Sequence, residues 1–415
     1  MMTSSLAMSI PERGLSPATL LLIGLCALVY LLDGLSHSIL GPLAPSIART
    51  LQLSNAQLGP IFSANLVGQC IGLVMFPMFA GRAGQRGIVL ICLAGFGLAQ
   101  AGSALANDAT GLFAWRLVTG VFLGGCLPSC LALVTAAAPE KRRGLAIMLL
   151  FIGYGVGATV AGLVANAFAD FGGWRAAMVA VGLACLATLA ISWLWLRDAH
   201  DTESDSGSEA ETRRASRVLT LFSRDYLVGT LMLWMLFICM LTISYCLNSW
   251  LPTLLVEVGR SERFAALSVS VFSLGGIIAA LGVGVLIDRF GAARTLITFL
   301  TISTALLFAI GQVLATASED SLMLLLVACG FFVLGAYGGV NVVLATFYPA
   351  PLRALGIGWA KSASRFGTLI APVLIGAGLS AGMMGTSVMS LFALPALLSV
   401  VSLAVIAAGR RESSG

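Results

Sequence analysis

The sequence predicts an all-α membrane protein whose twelve transmembrane helices form two pseudo-symmetric six-helix bundles. Two observations support this fold class. Only 10% of the 415 residues are charged, whereas 59% are hydrophobic, and soluble domains carry about 25% charged residues. Apolar segments of spanning length also recur twelve times, and one polar stretch divides them into two sets of six. The composition excludes a cytosolic enzyme, a nucleic-acid-binding protein and a disordered scaffold.

Each apolar segment is long enough to cross a hydrocarbon core of about 30 Å, which needs about 20 helical residues. The first six segments lie at 17–40, 57–80, 87–106, 110–137, 144–168 and 175–196. The second six lie at 226–252, 264–287, 293–315, 321–347, 355–378 and 386–409. The expected organisation is a tail (1–16), an N-terminal bundle (17–196), a polar solvated linker (197–225), a C-terminal bundle (226–409) and a second tail (410–415).

The basic residues predict the orientation in the membrane. With the N-terminus placed inside, sixteen arginines and lysines fall on the cytoplasmic side, and four fall outside. Short cytoplasmic loops are enriched in Lys and Arg. We therefore expect both termini and the linker to be cytoplasmic, in a protein of the cell inner membrane. The four outside are Arg49, Arg175, Arg260 and Arg263.

The two halves of the chain repeat each other. Gly84, after the second span, recurs 207 residues later as Gly291, after the eighth. The same separation relates Pro45 to Pro252. Matches at one offset across two hundred residues indicate an internal duplication. Two six-helix repeats with a binding site between them near the membrane midplane are a known plan of transporters.

The two repeated loops carry a recognisable pattern. Its residues are Arg82, Gly84 and Arg86 in the first half and Asp288, Arg289 and Gly291 in the second. The second loop resembles the G-x-L-x-D-R-x-G-R/K loop of the major facilitator superfamily, and the resemblance extends over essentially the whole chain. It implies that these residues form gating loops; arginines that only anchor the cytoplasmic face are the alternative. In the first loop Gly81 stands where the family has aspartate.

Glycine patterns in the fourth and fifth spans extend the resemblance. Arg116 is followed at four-residue spacing by Gly120 and Gly124. The fifth span carries Gly153 and Gly157. Small residues at this spacing let helices approach closely, so we expect these glycines to serve packing.

Three stretches, 32–36, 245–255 and 335–367, resemble the aromatic acid:proton symporters within this superfamily. The last two contain Trp-Leu-Pro and Tyr-Pro…Arg…Gly-x-Gly-Trp blocks. In the first stretch Ser36 replaces the second aspartate of the family pattern. The resemblance implies alternating-access uptake of an organic, aromatic carboxylate with a proton. The expected partners are that small-molecule anion, the proton and the lipid bilayer, for a monomer that binds no nucleic acid.

Asp33 is the one acidic residue that can be placed deep in a span, about 24 Å along its helix from Pro17. A charge in a helix centre costs about 2.5–3.5 kcal/mol on insertion scales, so it should face a cavity or a partner. Tyr30, Asp33, Ser36 and His37 share one helix face. We predict that Asp33 carries the coupled proton. An aspartate tied to an arginine for helix packing is the alternative.

Two further charged or titratable residues belong to the predicted proton path. His37 lies one turn beyond Asp33 and could relay its proton or bind a substrate. A histidine bonded to a backbone carbonyl near the outer mouth is an equally good interpretation. Arg116 lies near the outer end of its span. It either belongs to the proton path or serves helix packing.

Arg365 lies about 15 Å along its span from Leu355, near the membrane centre. Arginine binds carboxylates through two parallel hydrogen bonds, so we predict that Arg365 binds the substrate anion. Lys361 shares its face, and either contacts the substrate or extends to the cytoplasmic surface. The other predicted substrate contacts are Tyr245, Asn248, Tyr337, Asn341 and Trp359.

No cofactor, metal or catalytic chemistry is expected. The nine cysteines show no C-x-x-C spacing, and there are two histidines, so the patterns of metal sites are missing. The first alternative function is a proton-antiport exporter of drugs or metabolites with the same fold. A transporter-like membrane sensor is more remote, and a membrane enzyme is more remote still.

Overall fold

The computed structural model describes residues 16–139, 142–196, 220–223 and 226–412. Within these ranges, twelve helices are long and apolar enough to cross a membrane, so the predicted fold class is confirmed. In the first half they are α1 (Pro17–Leu51), α2 (Asn55–Met75, followed by a 3-10 turn at Phe76–Phe79), α3 (Ala80–Gly102), α4 (Ala109–Ala137), α5 (Arg143–Ala167) and α6 (Gly173–Trp195).

The helices of the second half follow after the predicted linker, most of which lies outside the described residues. They are α7 (Leu227–Glu257), α8 (Glu262–Phe290), α9 (Ala292–Val313), α10 (Glu319–Phe347), α11 (Ala350–Ser380) and α12 (Gly385–Leu391 and Ala393–Glu412). The last helix therefore continues three residues beyond the predicted end at 409.

Two helices continue well past their predicted C-terminal ends. The first span continues past residue 40 to Leu51, with a local break at Ile39, and the seventh continues past residue 252 to Glu257.

The first extension contains Pro42 and Pro45, and the second directly follows Pro252. A proline removes a backbone hydrogen bond from a helix interior. Residues Leu40–Leu51 pack against α7, and a Cβ added at Gly41 would collide with the backbone oxygen of Asn248. Burial between α1 and α7 therefore holds the helical form beyond the prolines.

Side-chain caps mark several helix starts. At the start of α4, Asp108 Oδ1 accepts a hydrogen bond from Gly111 N at 2.7 Å. At the start of α8, Ser261 Oγ accepts one from Phe264 N at 3.2 Å. Each cap satisfies a backbone N–H that the helix leaves without a partner, so these starts follow from local sequence.

The internal duplication is visible in the backbone. Gly84 and Gly291, the two equivalent loop glycines, have φ angles of 67° and 84°. Such positive φ values suit glycine because it lacks a Cβ. The packing between the halves is equally symmetric, since α2 packs on α11 and α8 packs on α5.

Glycines bring α5 and α1 into close contact. A Cβ added at Gly153 would collide with the backbone oxygen of Ala27, and one at Gly157 would collide with that of Leu31. The predicted packing role of this glycine run is therefore seen directly. The contact fixes the helix that carries Asp33.

Gly157→Ala is expected to destabilise the protein, because the added methyl group forces α1 and α5 apart. Overpacking of this kind costs about 1–3 kcal/mol, and a lower thermal unfolding temperature of the purified protein would report it. Gly24→Ala is the matched control on α1, where an added Cβ meets nothing within 4 Å. Equal unfolding temperatures for the two variants would contradict the packing argument.

Polar contacts tie the two halves together at the end where α1 leads into α2. Arg49 Nη1 pairs with Glu262 Oε1 at 2.8 Å, and Arg263 pairs with Asp170. Asn55 Nδ2 donates to Glu257 Oε1 at 2.6 Å. At the opposite end, no ion pair or hydrogen bond between two described residues joins the halves. The molecule is therefore closed at the α1–α2 end.

Candidate functional site

Polar and aromatic side chains meet in the middle of the molecule, between the two halves. We call this group the central cluster. Its members are Tyr30, Asp33 and His37 on α1, Asn65 and Gln69 on α2, Tyr154 on α5, Tyr245 on α7, Tyr337 on α10 and Arg365 on α11. Both bundles contribute, as the predicted duplication requires for a site on the axis between repeats.

Asp33 and Arg365 carry opposite charges in this cluster. Asp33 is only 5% exposed, and Arg365 is half-buried. Arg365 lies close enough to act on the Asp33 carboxylate electrostatically, but the described residues show no ion pair between them. A carboxylate from one half thus lies near a guanidinium from the other without an ion pair between them, so the carboxylate can take up a proton and the guanidinium an anion.

Tyrosine rings flank these charges. The ring centroids of Tyr30 and Tyr154 are 5.2 Å apart, and those of His37 and Tyr245 are also 5.2 Å apart. The Tyr245 hydroxyl donates to the backbone oxygen of Phe62 at 2.5 Å, which links α7 to α2. Tyr245 therefore holds the halves together beside His37.

Two amides that the sequence analysis did not single out surround His37. Asn65 Nδ2 and Gln69 Nε2 each lie 3.2 Å from His37 Nδ1. The other end of the Gln69 amide, Oε1, accepts from Arg365 Nη1 at 3.5 Å. His37 is thus bonded to side chains rather than to a backbone carbonyl, the alternative considered above. Two amides four residues apart in an apolar span were the signal available in the sequence.

Arg116 is completely buried next to the central cluster. Its Nη1 donates to Gln100 Oε1 at 2.9 Å, and its Nη2 donates to the backbone oxygen of Ser36 at 3.0 Å. No described carboxylate pairs with it. Arg116 therefore binds the α1 backbone one residue before His37, and its second partner, Gln100, belongs to α3.

The remaining predicted substrate contacts on α10 and α11 are spread along the helices. Tyr337 belongs to the central cluster, whereas the Asn341 amide donates to the Tyr337 carbonyl of its own helix at 3.0 Å. Lys361 is exposed, which fits the surface alternative. Trp359 is not in the cluster: it stacks on Trp234, with ring centroids 5.9 Å apart and planes 8° apart.

Asn248 lies one turn beyond Tyr245 on α7. It is half-buried, and its backbone lies against Gly41 of α1. No described residue bonds to its side-chain amide. It therefore lies on the closed side of the cluster, where α1 and α7 touch.

The predicted gating loops lie at the end opposite the closed one. Arg86 Nη2 donates to the Trp193 backbone oxygen at 2.8 Å, so it fastens α3 to α6. Arg289 lies over the Phe290 ring at 5.3 Å. The other charged members, Arg82 and Asp288, are exposed, and no ion pair of described residues joins the two loops.

The Major Facilitator Superfamily model matches the chain twice, over residues 26–261 and 233–414. The chain belongs to the major facilitator superfamily. Together the two matches span nearly the whole chain, and they overlap at residues 233–261. The protein is therefore a multi-pass membrane transporter rather than an enzyme.

Curated members of the superfamily resemble this transporter over nearly its full length. It is 31% identical to a gallate transporter of Pseudomonas putida, over 96% of this chain and 94% of the relative. It is 32% identical to a 3-(3-hydroxy-phenyl)propionate transporter of Escherichia coli, over 96% of both. A 4-hydroxybenzoate transporter of Pseudomonas putida is 28% identical, over 92% of this chain and 91% of the relative. The predicted resemblance to aromatic acid transporters is confirmed.

Solved structures share the fold of this transporter. A D-xylose-proton symporter has a TM-score of 0.79 at 16% identity, covering 92% of this chain and 96% of that one. A bacterial homologue of the human lysosomal transporter Spinster, in an inward-facing and occupied conformation, has a TM-score of 0.72 at 20% identity, covering 97% and 98%. These likenesses concern the fold.

Proposed function

We propose that the protein imports an aromatic carboxylate together with a proton by alternating access, in a cell inner membrane with both termini cytoplasmic. The observation that carries this proposal is that Asp33 and Arg365 lie near each other across the two halves, with no ion pair between these two described residues. One group can hold a proton and the other an anion, so the site offers both ions of a symporter in one place.

The substrate class follows from the composition of the central cluster. A guanidinium binds a carboxylate bidentately, and four tyrosine rings line the same cluster, at Tyr30, Tyr154, Tyr245 and Tyr337. Stacked or edge-on aromatic pairs contribute about 0.5–1.5 kcal/mol beyond burial. The named substrates of the relatives are aromatic acids, which supports a benzoate-type ligand here.

Alternating access requires the closed end to open. The sixteen-to-four distribution of basic residues places the α1–α2 end outside, so the described conformation faces the cytoplasm. Reaching the outward-facing state then requires breaking the Arg49–Glu262 and Arg263–Asp170 pairs. These pairs are largely exposed, and exposed pairs contribute about 0–1 kcal/mol each. The ion pairs at the closed end therefore add little to the cost of opening it.

The mechanism has three steps. In the outward-facing state, Asp33 takes a proton and Arg365 binds the substrate carboxylate. The cluster then carries less net charge, and the halves can close around it in a low-dielectric site. Opening toward the cytoplasm releases the acid and the proton.

Proteoliposomes that contain the purified full-length protein are expected to accumulate radiolabelled 4-hydroxybenzoate or gallate when an inward proton gradient is imposed. Accumulation should disappear when a protonophore collapses the gradient, and protein-free liposomes give the background. Failure to accumulate any aromatic acid, combined with pH-driven export of organic cations, would contradict the proposal and favour the exporter.

A further inference from the structure

The Gln69 side chain connects two groups to which the proposed mechanism gives no direct link. Its Nε2 lies 3.2 Å from His37 Nδ1, and its Oε1 lies 3.5 Å from Arg365 Nη1. Gln69 is on the first half, and Arg365 is on the second. One amide therefore joins the histidine to the predicted substrate-binding arginine across the interface between the halves.

The helix that carries Gln69 is held rigidly. A Cβ added at Gly120 or Gly124 of α4 would collide with the backbone oxygens of Asn65 or Gln69 respectively. The backbone of α2 thus lies directly against α4 at both amide positions. The Gln69 side chain can turn, but its backbone is fixed between its two partners.

An amide has one donating end and one accepting end. A change in the protonation of the partner at one end can therefore break the hydrogen bond at the other end. An amide nitrogen donates and does not accept; with Asn65 and Gln69 both donating to it, Nδ1 of His37 is unprotonated. A proton on Nδ1 turns this atom into a donor that faces two other donors. Rotation of the Gln69 amide removes this conflict, because it turns the amide oxygen to His37 and takes that oxygen away from Arg365.

We propose that Gln69 couples a proton on His37 to the binding of a substrate carboxylate by Arg365. This inference rests on the proposed function. While His37 is neutral, Gln69 occupies Arg365; when His37 takes a proton, Gln69 turns and Arg365 is free for the substrate. The 3.5 Å contact is at the outer limit of a hydrogen bond, so a carboxylate can displace it.

A second amide can follow the same rotation. Asn65 Oδ1 is buried and has no hydrogen-bond partner among the described residues. Rotation of the Asn65 amide would bring this oxygen to the protonated Nδ1 as a second acceptor; if Asn65 turned alone, Gln69 would stay on Arg365, and the Gln69 variants below would then keep the full response of His37. The orphaned oxygen is thus an acceptor already in place for the protonated state.

The charges around His37 act in the same direction as the amide. The titratable and charged groups that face it are Asp33 on its own helix, Arg116 on α4, Tyr154 on α5, Tyr245 on α7 and Arg365 on α11. A proton on His37 adds a third positive charge beside two arginines, and a bound carboxylate offsets it. Substrate binding therefore favours the proton as much as the proton favours substrate binding.

Nitrogen-15 NMR of labelled histidine tests this proposal on the full-length protein in lipid nanodiscs. The chain has two histidines, His37 and His200, so a His200→Gln background reports His37 alone. At mildly acidic pH, saturating 4-hydroxybenzoate is expected to raise the ratio of protonated to neutral His37 by about fivefold or more. Equilibrium dialysis on the same samples measures binding.

Gln69→Leu and the shorter Gln69→Asn are each expected to reduce that rise to less than about twofold, at 4-hydroxybenzoate concentrations raised until equilibrium dialysis shows each variant to be saturated. Gln312→Leu is the matched control, because it removes an amide that bonds Ser390 on α12. The Gln312→Leu variant should keep the full rise in the ratio of protonated to neutral His37. A full rise in both Gln69 variants would overturn the role of Gln69 and leave the proposed function intact.

Two other outcomes also overturn the coupling. If the unmodified protein binds 4-hydroxybenzoate but His37 does not respond, the coupling is wrong and the proposed function stands. If the unmodified protein binds no aromatic acid, the coupling and the proposed function fail together.

Discussion

Asp33→Asn is expected to abolish accumulation of substrate driven by a proton gradient, while exchange of labelled for unlabelled substrate continues. Asp33 is the one buried carboxylate among the described residues. Asparagine has nearly the shape of the protonated acid but does not ionise. Exchange requires no net movement of protons, so a permanently neutral residue permits it. Parallel assays of accumulation and exchange in proteoliposomes measure the two activities.

The matched control is Asp320→Asn, which makes the same change at an exposed residue in the first turn of α10. It should accumulate substrate normally. Removing a carboxylate from membrane depth saves about 2.5–3.5 kcal/mol on insertion scales, so Asp33→Asn should be at least as stable to heating as the unmodified protein. Undiminished accumulation by Asp33→Asn would remove this residue from the proton path.

Arg365→Gln is expected to weaken the binding of benzoate-type acids by about tenfold to a hundredfold. Hydrogen bonds to charged groups contribute about 1.5–3 kcal/mol, and each 1.4 kcal/mol is about a factor of ten in affinity. Binding of the corresponding neutral amide should change far less, because it presents no negative charge to the guanidinium. Competition binding with acid and amide in the same preparation separates the two effects.

Lys361→Gln is the control one helical turn away from Arg365. Because Lys361 is exposed and lies outside the central cluster, this variant should bind the acid within about threefold of the unmodified protein, a difference of less than 1 kcal/mol. An equal loss of acid and amide binding in Arg365→Gln would instead indicate that Arg365 only holds the site together.

Hydropathy gave the number of spans because the bilayer imposes a length on every apolar segment. Their ends were less predictable: α1 and α7 continue through Pro45 and Pro252 because they pack on each other there. Packing between helices also decides which way a side chain points, and the sequence did not predict this. A helix that is apolar on all sides shows little periodicity, so the face that carries Trp359 could not be determined, and the ring lies on Trp234 outside the cluster.

The amides around His37 show why the site was only partly predictable. Asp33, His37 and Arg365 were found because a charged or titratable side chain in a membrane span requires a reason. Asn65 and Gln69 carry no charge. Their partners lie 28, 32 and 296 residues away in the chain, so no local pattern connects them.

The sequence by itself determined the membrane class, the twelve spans, the duplication and the few charges within the spans, because the bilayer penalises polar groups residue by residue. Only the tertiary structure decided which of those charges meet. It placed Asp33 and Arg365 together without an ion pair, buried Arg116 against a backbone carbonyl and put Gln69 between His37 and Arg365. These relations depend on how two bundles pack across their interface, and packing between distant segments leaves no periodic signal in either one.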